Sequence, residues 1–389
     1  MRSKTLFFIY ILLIIIFPNG IGIDIGIDFR IWMFLAFIFL FLPFINYNMK
    51  NKAFFDSTNL AILFFVLLST IRFFIFSGTI SGIGMILKFF LYFFLAYFAG
   101  KYYIQDEKDL MKFFYVLSAA AIIESLMVFK EFYTGIGTFV NSKFMINPED
   151  SWNNSQINWN RFGLYRGQAS FVHPIYLGCY LFLITLCNML ILIYQRDKVK
   201  KFFKYLLTTQ IILGVIAGIF SQSRTAILAC ILVSVLILII DLKNIPMLRL
   251  IILLPLISLV VFLLMYYFYS DYFTTFLYTN FLADNANINW NYRINISVRT
   301  FENIFKYPSF FGEKLLYSSE LRSFIKNDLT NGILNKFIHA GVFYGLFYIY
   351  MYFKALKKSY IYRKDSNWGL ILFSIFMYYF VVDNLSGIA

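Results

Sequence analysis

Apolar runs of membrane-crossing length recur along this chain, and no other feature limits its possible folds as strongly. A helix needs about 20 apolar residues to cross the hydrocarbon core of a bilayer, within a usual range of roughly 17 to 25. Read with that window the chain holds eleven candidate runs, at 5–20, 29–46, 58–77, 83–100, 111–130, 171–194, 203–220, 225–241, 246–270, 331–353 and 368–386. The expectation is an all-α polytopic membrane protein of eleven or twelve spans.

Composition agrees with this. Apolar residues make up 60% of the chain, charged residues 14%, and the mean hydropathy is +0.72. A soluble protein averages about half apolar and a quarter charged, so a water-soluble fold is excluded. The 50 Phe and 29 Tyr fall often near the ends of apolar runs, where amphipathic rings settle at a membrane interface. Compositional bias accounts for much of the Phe count.

A net charge of +14 would suggest a nucleic-acid partner in a soluble protein. Here the basic residues gather in short loops between apolar runs, a topological pattern, and no nucleic acid is implied. Cys179, Cys187 and Cys230 lie inside apolar segments with no paired spacing. They read as packing residues, with neither a disulfide nor a metal site. The N-terminus, with Arg2, Lys4 and an apolar stretch to Phe17, resembles a signal peptide. No small-residue cleavage site follows, since Pro18-Asn19-Gly20 leads on to further spans, so a first membrane helix is expected there.

Cytoplasmic loops carry the excess of Lys and Arg. With the N-terminus inside, the inner connections hold Arg2 and Lys4; Lys50 and Lys52; Lys101, Lys108 and Lys112; Arg196, Lys198, Lys200, Lys201 and Lys204; Lys243 and Arg249; and Lys354, Lys357, Lys358, Arg363 and Lys364. One parity therefore fits the whole chain. It divides the sequence into five N-terminal spans (1–130), an extracytoplasmic loop (131–170), four spans (171–270), a large extracytoplasmic loop (271–330) and the C-terminal spans (331–389). The turn Ser221-Gln222-Ser223-Arg224 also falls outside. Loops as long as 271–330 are usually functional or disordered; the apolar punctuation by Phe301, Ile304 and Phe305 before Tyr307-Pro308 argues for order, with an amphipathic helix over 293–306.

Phosphate-cradling glycine loops, HExxH and nucleophile elbows are all missing, and no cofactor is expected. What remains is a set of arginines at outer loop and helix ends: Arg161, Arg166, Arg224, Arg293 and Arg299. A guanidinium stays charged and presents a planar fork of donors, so several converging make a receptor for phosphate or pyrophosphate. Arg224 stands in a short turn between two apolar helices, where it either snorkels to the interface or faces a wet cavity. Arg166 either serves the site or sits in a solvated loop. Five residues on from it the apolar run begins at Phe171, and Pro174 suits a first helical turn. His173 reads either as a proton carrier or as a polar helix-end residue, and His339 as a packing histidine. Glu124 lies inside a span, pairing across the bundle or facing water. Outer-loop carboxylates such as Asp328 show no metal-binding spacing, so metal independence is predicted.

These residues resemble the O-antigen polymerase and O-antigen ligase superfamily over about residues 160 to 353. Arg166, Pro174 and Gly178 look like the family's Arg-x-x-Gly-x-Phe-x-x-Pro stretch leading into a membrane helix, with Ala169 in place of the Gly. Ser221-Gln222-Ser223-Arg224-Thr225 is similar to its Ser-Arg turn. Arg293 with Pro308 and Gly312 resembles the Arg, Pro and Gly series of its large outer loop. Asn331-Gly332, with Gly341 and Gly345, resembles the Asn-Gly start of the following helix. Before that Asn, ligases carry His and many polymerases Asp, whereas this chain has Thr330.

The resemblance implies a Wzy-type polymerase in the bacterial inner membrane. It would be an inverting glycosyltransferase joining undecaprenyl-diphosphate-linked oligosaccharide units into O-antigen, capsule or exopolysaccharide. Arg166, Arg224 and Arg293 would stabilise the departing lipid diphosphate, with Arg161, Arg299 and Asn331 binding substrate. Either His173 or Asp328 would take the acceptor's proton. The bilayer, a chain-length regulator and a flippase are the partners it suggests. The rival readings are a ligase of the same fold and a non-enzymatic flippase.

Overall fold

The structure, a computed structural model, describes residues 2–17, 22–24, 28–30, 96–139, 160–161, 164–171, 173–240 and 342–386, with Val298 and Glu302 singly. In chain order its elements are α1 (Arg2–Ile16), β1 (Gly22–Asp24), β2 (Asp28–Arg30), α2 (Ala96–Tyr103), α3 (Glu107–Thr134), β3 (Asn160–Arg161), β4 (Leu164–Tyr165), α4 (Pro174–Tyr194), α5 (Lys201–Phe220), α6 (Arg224–Ile240), α7 (Val342–Tyr362) and α8 (Trp368–Ser386). The regular elements among the described residues are thus helical but for two short antiparallel ladders, β1 with β2 and β3 with β4. Strand β2 overlaps the beginning of the 29–46 run. Of the other expected spans, 58–77 and 246–270 lie outside the described residues.

Among the described residues three helices, α3, α4 and α5, are long and apolar enough to cross a membrane. Their bounds follow local chemistry as much as hydropathy. Asp106 accepts the Asp109 N–H at 2.7 Å and caps α3, whose first turn carries Glu107 and Asp109 at the positive end of the helix dipole. Helix α7 runs on to Tyr362, past the limit of the 331–353 run, carrying Lys354, Lys357 and Lys358 on helical backbone.

The chain divides into two compact units, Met1–Leu117 with Asn141–Pro148, and Ser118–Val140 with Glu149–Ala389. In the first, Phe7 of α1 stacks on Tyr103 at 4.3 Å between ring centroids, and Lys4 pairs with Asp109 at 2.5 Å. Both rings are buried, so α1 is anchored at one end by an ion pair and along its length by aromatic packing.

The second unit is built on α4. A chain of buried side-chain hydrogen bonds crosses it: Ser118 Oγ donates to Asn188 Oδ1 (3.0 Å), Asn188 Nδ2 to Gln210 Oε1 (2.7 Å), and Gln210 Nε2 to Thr185 Oγ1 (3.2 Å). All four residues are fully buried, so each polar group within apolar surroundings finds its partner on a neighbouring helix. Gly214 and Gly218 let α5 approach α4: a Cβ on Gly218 would sit 2.7 Å from the Phe182 ring, and one on Gly214 would sit 2.7 Å from Thr185 Oγ1. This is the small-xxx-small device of membrane helix pairs. Helices α7 and α8 pack antiparallel, with the Tyr348 hydroxyl donating to Asp383 at 2.8 Å and the Tyr352 hydroxyl donating to the Phe376 carbonyl. The Tyr378 hydroxyl of α8 reaches the Ala226 carbonyl of α6 at 3.4 Å.

Candidate functional site

At one end of the second unit, the segment before α4, the turn between α5 and α6, and the last turns of α3 meet. Arg166 lies in that segment, 7% exposed. Its Nε donates to the Ser221 carbonyl at 3.2 Å and one terminal nitrogen to the Gln222 carbonyl at 3.5 Å. The next residue adds a main-chain bond, Gly167 N–H to the Phe220 carbonyl at 3.3 Å. The last carbonyls of a helix have no partner within it, and a cation there also meets the negative end of the dipole. Gly167 therefore takes the last carbonyl of α5, and Arg166 secures the two carbonyls that follow it in the turn.

The same short turn opens α6. Ser221 Oγ donates to the Gly218 carbonyl at 2.6 Å, Gln222 takes a left-handed φ of 53°, and Arg224 is the first residue of α6. Gly178 of α4 backs the turn: a Cβ there would collide with Ser221 Oγ and come within 2.6 Å of Ser223 Cβ. Two of the sequence patterns, around Arg166 and around Arg224, are therefore in contact through main chain, although 55 residues separate Arg166 from Ser221.

Two carboxylates of α3 hold the segment from the other side. Glu131 Oε2 accepts the Gln168 and Ala169 N–H groups at 2.8 and 2.9 Å, and Oε1 accepts the Thr138 N–H at 2.7 Å. One heptad earlier, Glu124 accepts the Ser170 N–H at 3.1 Å and the Ser170 hydroxyl at 2.7 Å. Both glutamates are fully buried. A buried carboxylate is tolerated only when its oxygens are fed by donors, and here the donors are the backbone of residues 138 and 168–170. Glu124 thus pairs with a loop, not with a cation on another helix. Phe132 stacks on Phe220 at 4.1 Å beside this junction.

Ala169 sits at φ 47°, the left-handed region that costs an L-residue roughly 1–2 kcal/mol. It is also completely buried. Glycine relieves the strain but loses a methyl contact and gains freedom when unfolded. Ala169→Gly should be neutral or stabilising by up to about 1 kcal/mol, and Ala169→Val should cost at least about 2 kcal/mol through strain and overpacking. Unfolding of the two variants in detergent measures both. Next to it, the Gln168 side chain is buried, and neither its Oε1 nor its Nε2 has a hydrogen-bond partner.

His173 is the N-cap of α4, with extended φ, and its Nδ1 accepts the Ile175 N–H at 3.0 Å while Pro174 takes the first helical position. With Nδ1 accepting, the neutral ring carries its hydrogen on Nε2, so His173 acts as a base only by giving up its cap.

No family model matches this chain. No curated protein and no solved structure matches it significantly either.

Arg161 belongs to β3, where it pairs with Leu164. Arg293, Arg299, Asp328, Asn331 and His339 lie outside the described residues; within the expected 293–306 helix, Val298 and Glu302 are helical and exposed. Among the described residues no group of three or more His, Cys, Asp or Glu side chains is placed to hold a metal ion. The three cysteines are buried and unbridged. Sequence reasoning passed over Glu131, which stands at the edge of a loop where a glutamate usually meets water. Its signal was the spacing: Glu124 and Glu131 are seven residues apart and so share one face of the helix.

Proposed function

We propose that this chain is a polytopic inner-membrane glycosyltransferase of the O-antigen polymerase kind. In this reading its N-terminus is cytoplasmic and its large loops are extracytoplasmic. It joins undecaprenyl-diphosphate-linked oligosaccharide units into O-antigen, capsule or exopolysaccharide. The observation that carries this is the junction of Arg166 with the Ser221–Arg224 turn. Two patterns singled out from the sequence for one chemistry come together in space, beside the start of α4 and the end of α5, each apolar and long enough to cross a membrane.

Further support comes from Ala169, whose left-handed backbone occupies the place where the family's pattern has glycine. Topology lends weight too. Arg166 and Gly167 meet 220–222, and Asn367 meets Tyr194, each contact joining loops assigned by charge to the same side of the membrane.

The mechanism follows from charge. The donor's leaving group is a polyprenyl diphosphate, and fixed guanidinium groups stabilise the negative charge that develops as the glycosidic C–O bond breaks. Arg166, Arg224 and Arg293 would do this without a metal, while Arg161, Arg299 and Asn331 bind substrate. The acceptor hydroxyl attacks the anomeric carbon from the opposite face, inverting it, and gives its proton to a base. Of the two bases named from the sequence, His173 is engaged as a helix cap, so Asp328 is the one proposed.

Purified protein incubated with a lipid-diphosphate-linked repeat unit should release polyprenyl diphosphate and lengthen the glycan, unaffected by a metal chelator. A flippase would move the lipid and leave the glycosidic bond intact, and that outcome would remove the enzymatic reading. Transfer of finished polymer onto a lipid A core acceptor, with no chain extension, would favour the ligase.

A further inference from the structure

At the other end of the second unit, the α4–α5 connection and the α7–α8 turn lie together. Asn367 Nδ2 donates to the Tyr194 carbonyl at 3.0 Å across 173 residues of sequence. The first connection brings Arg196, Lys200 and Lys201, and the second brings Lys357, Lys358 and Lys364; all six are exposed. Asp197 and Asp365 are the acidic residues within 195–204 and 354–367, and neither makes an ion pair with these six. Like charges gathered in this way repel one another unless a negative surface faces them.

We propose that this face binds the headgroups of acidic phospholipids. The rule that puts Lys and Arg in cytoplasmic loops requires only that each loop be basic; it does not require two distant loops to be tied side by side. The apolar residues between the cations decide the class of partner. Phe202 and Tyr205 at the start of α5 are 72% and 63% exposed, and Tyr360, Ile361 and Tyr362 at the end of α7 are exposed as well. The Arg363 guanidinium stacks 3.8 Å from the centre of the Tyr360 ring. A soluble polyanion offers these side chains no apolar phase, whereas a lipid interface takes rings and cations together.

The inference rests on the chain being embedded in a membrane. Insertion is therefore measured first, by resistance to carbonate extraction. The inserted protein is then extracted from vesicles of mixed phosphatidylglycerol and phosphatidylcholine, and the retained lipid is counted by headgroup. Wild type should retain phosphatidylglycerol preferentially. Changing Arg196, Lys200, Lys201, Lys357 and Lys358 together to Gln should lower that preference at least about five-fold, the effect of a single such charge near the surface. Because those charges also set topology, a second variant keeps them all: Asn367→Leu breaks only the tie to Tyr194 and should lower the preference as well. Equal retention of the two lipids by inserted wild type overturns the proposal, and so does a preference unchanged in Asn367→Leu, or nucleic acid retained in place of lipid. Protein stripped by carbonate overturns the membrane reading beneath it.

Discussion

Glu131→Leu should release the segment that carries Arg166. Three N–H groups, those of Thr138, Gln168 and Ala169, lose their acceptor at once, and the Gln168 and Ala169 bonds are buried. Leaving a buried donor unmade costs about 1–3 kcal/mol, and bonds to a charged acceptor lie at the upper end, so the loss should be about 3–5 kcal/mol. Global unfolding in detergent reports the total. Amide exchange reports the place: the Gln168 and Ala169 N–H groups should exchange at least about a hundredfold faster, since each 1.4 kcal/mol is tenfold. Glu131→Gln retains one acceptor oxygen and turns an N–H toward the remaining donors, so it should fall between wild type and Leu. If these amides remain protected in the Leu variant, the segment is held by something other than the carboxylate.

What the sequence disclosed and what it hid divide along a physical line. Helices α3 to α6 coincide within a few residues with runs read from hydropathy, because length and apolarity are both local quantities. Bounds shift where the two criteria part. Helix α7 runs past Lys354, Lys357 and Lys358, since a lysine ends an apolar window but not a helix, and its stem can lie along apolar surface while the ammonium reaches water. Helix α4 begins at Pro174, after the 171–194 run has opened, because His173 and Pro174 form a cap and first turn. The ladder of Gly22–Asp24 on Asp28–Arg30 was not foreseen, being too short to leave a readable alternation.

The site was legible only as a set of parts. Arginine positions could be read, and so could their order, but the bonds that join Arg166 to 221–222 run to main-chain carbonyls, which every residue possesses and no sequence marks. Glu131 was hidden for the related reason that its partners are backbone N–H groups. The Ser118–Asn188–Gln210–Thr185 network was hidden because it is made by side chains on three different helices, and each residue alone looks like a tolerated polar substitution in an apolar run.

Arg166 separates a structural from a catalytic role most sharply. Its contacts with the Ser221 and Gln222 carbonyls orient the guanidinium, and the diphosphate reading requires the same side chain to present its planar fork to the ligand. Arg166→Ala should cost about 1–3 kcal/mol of stability, since it leaves the Ser221 carbonyl and its neighbour without their donor. Loss of a preorganised donor to a developing anion typically lowers turnover by about 10²–10³-fold, so chain extension should fall to single-unit product. Arg166→Lys tells the two effects apart. An ammonium can still reach one carbonyl and should hold stability within about 1 kcal/mol of wild type, but it cannot offer the planar fork that grips a diphosphate, and extension should stay near the Ala level. Reconstituted protein given a lipid-linked repeat unit yields both readings, thermal unfolding for the first and the ladder of chain lengths for the second. A Lys variant that regains the ladder along with its stability would show that Arg166 anchors the 221–222 turn and no more, and the diphosphate would then have to be held by other residues.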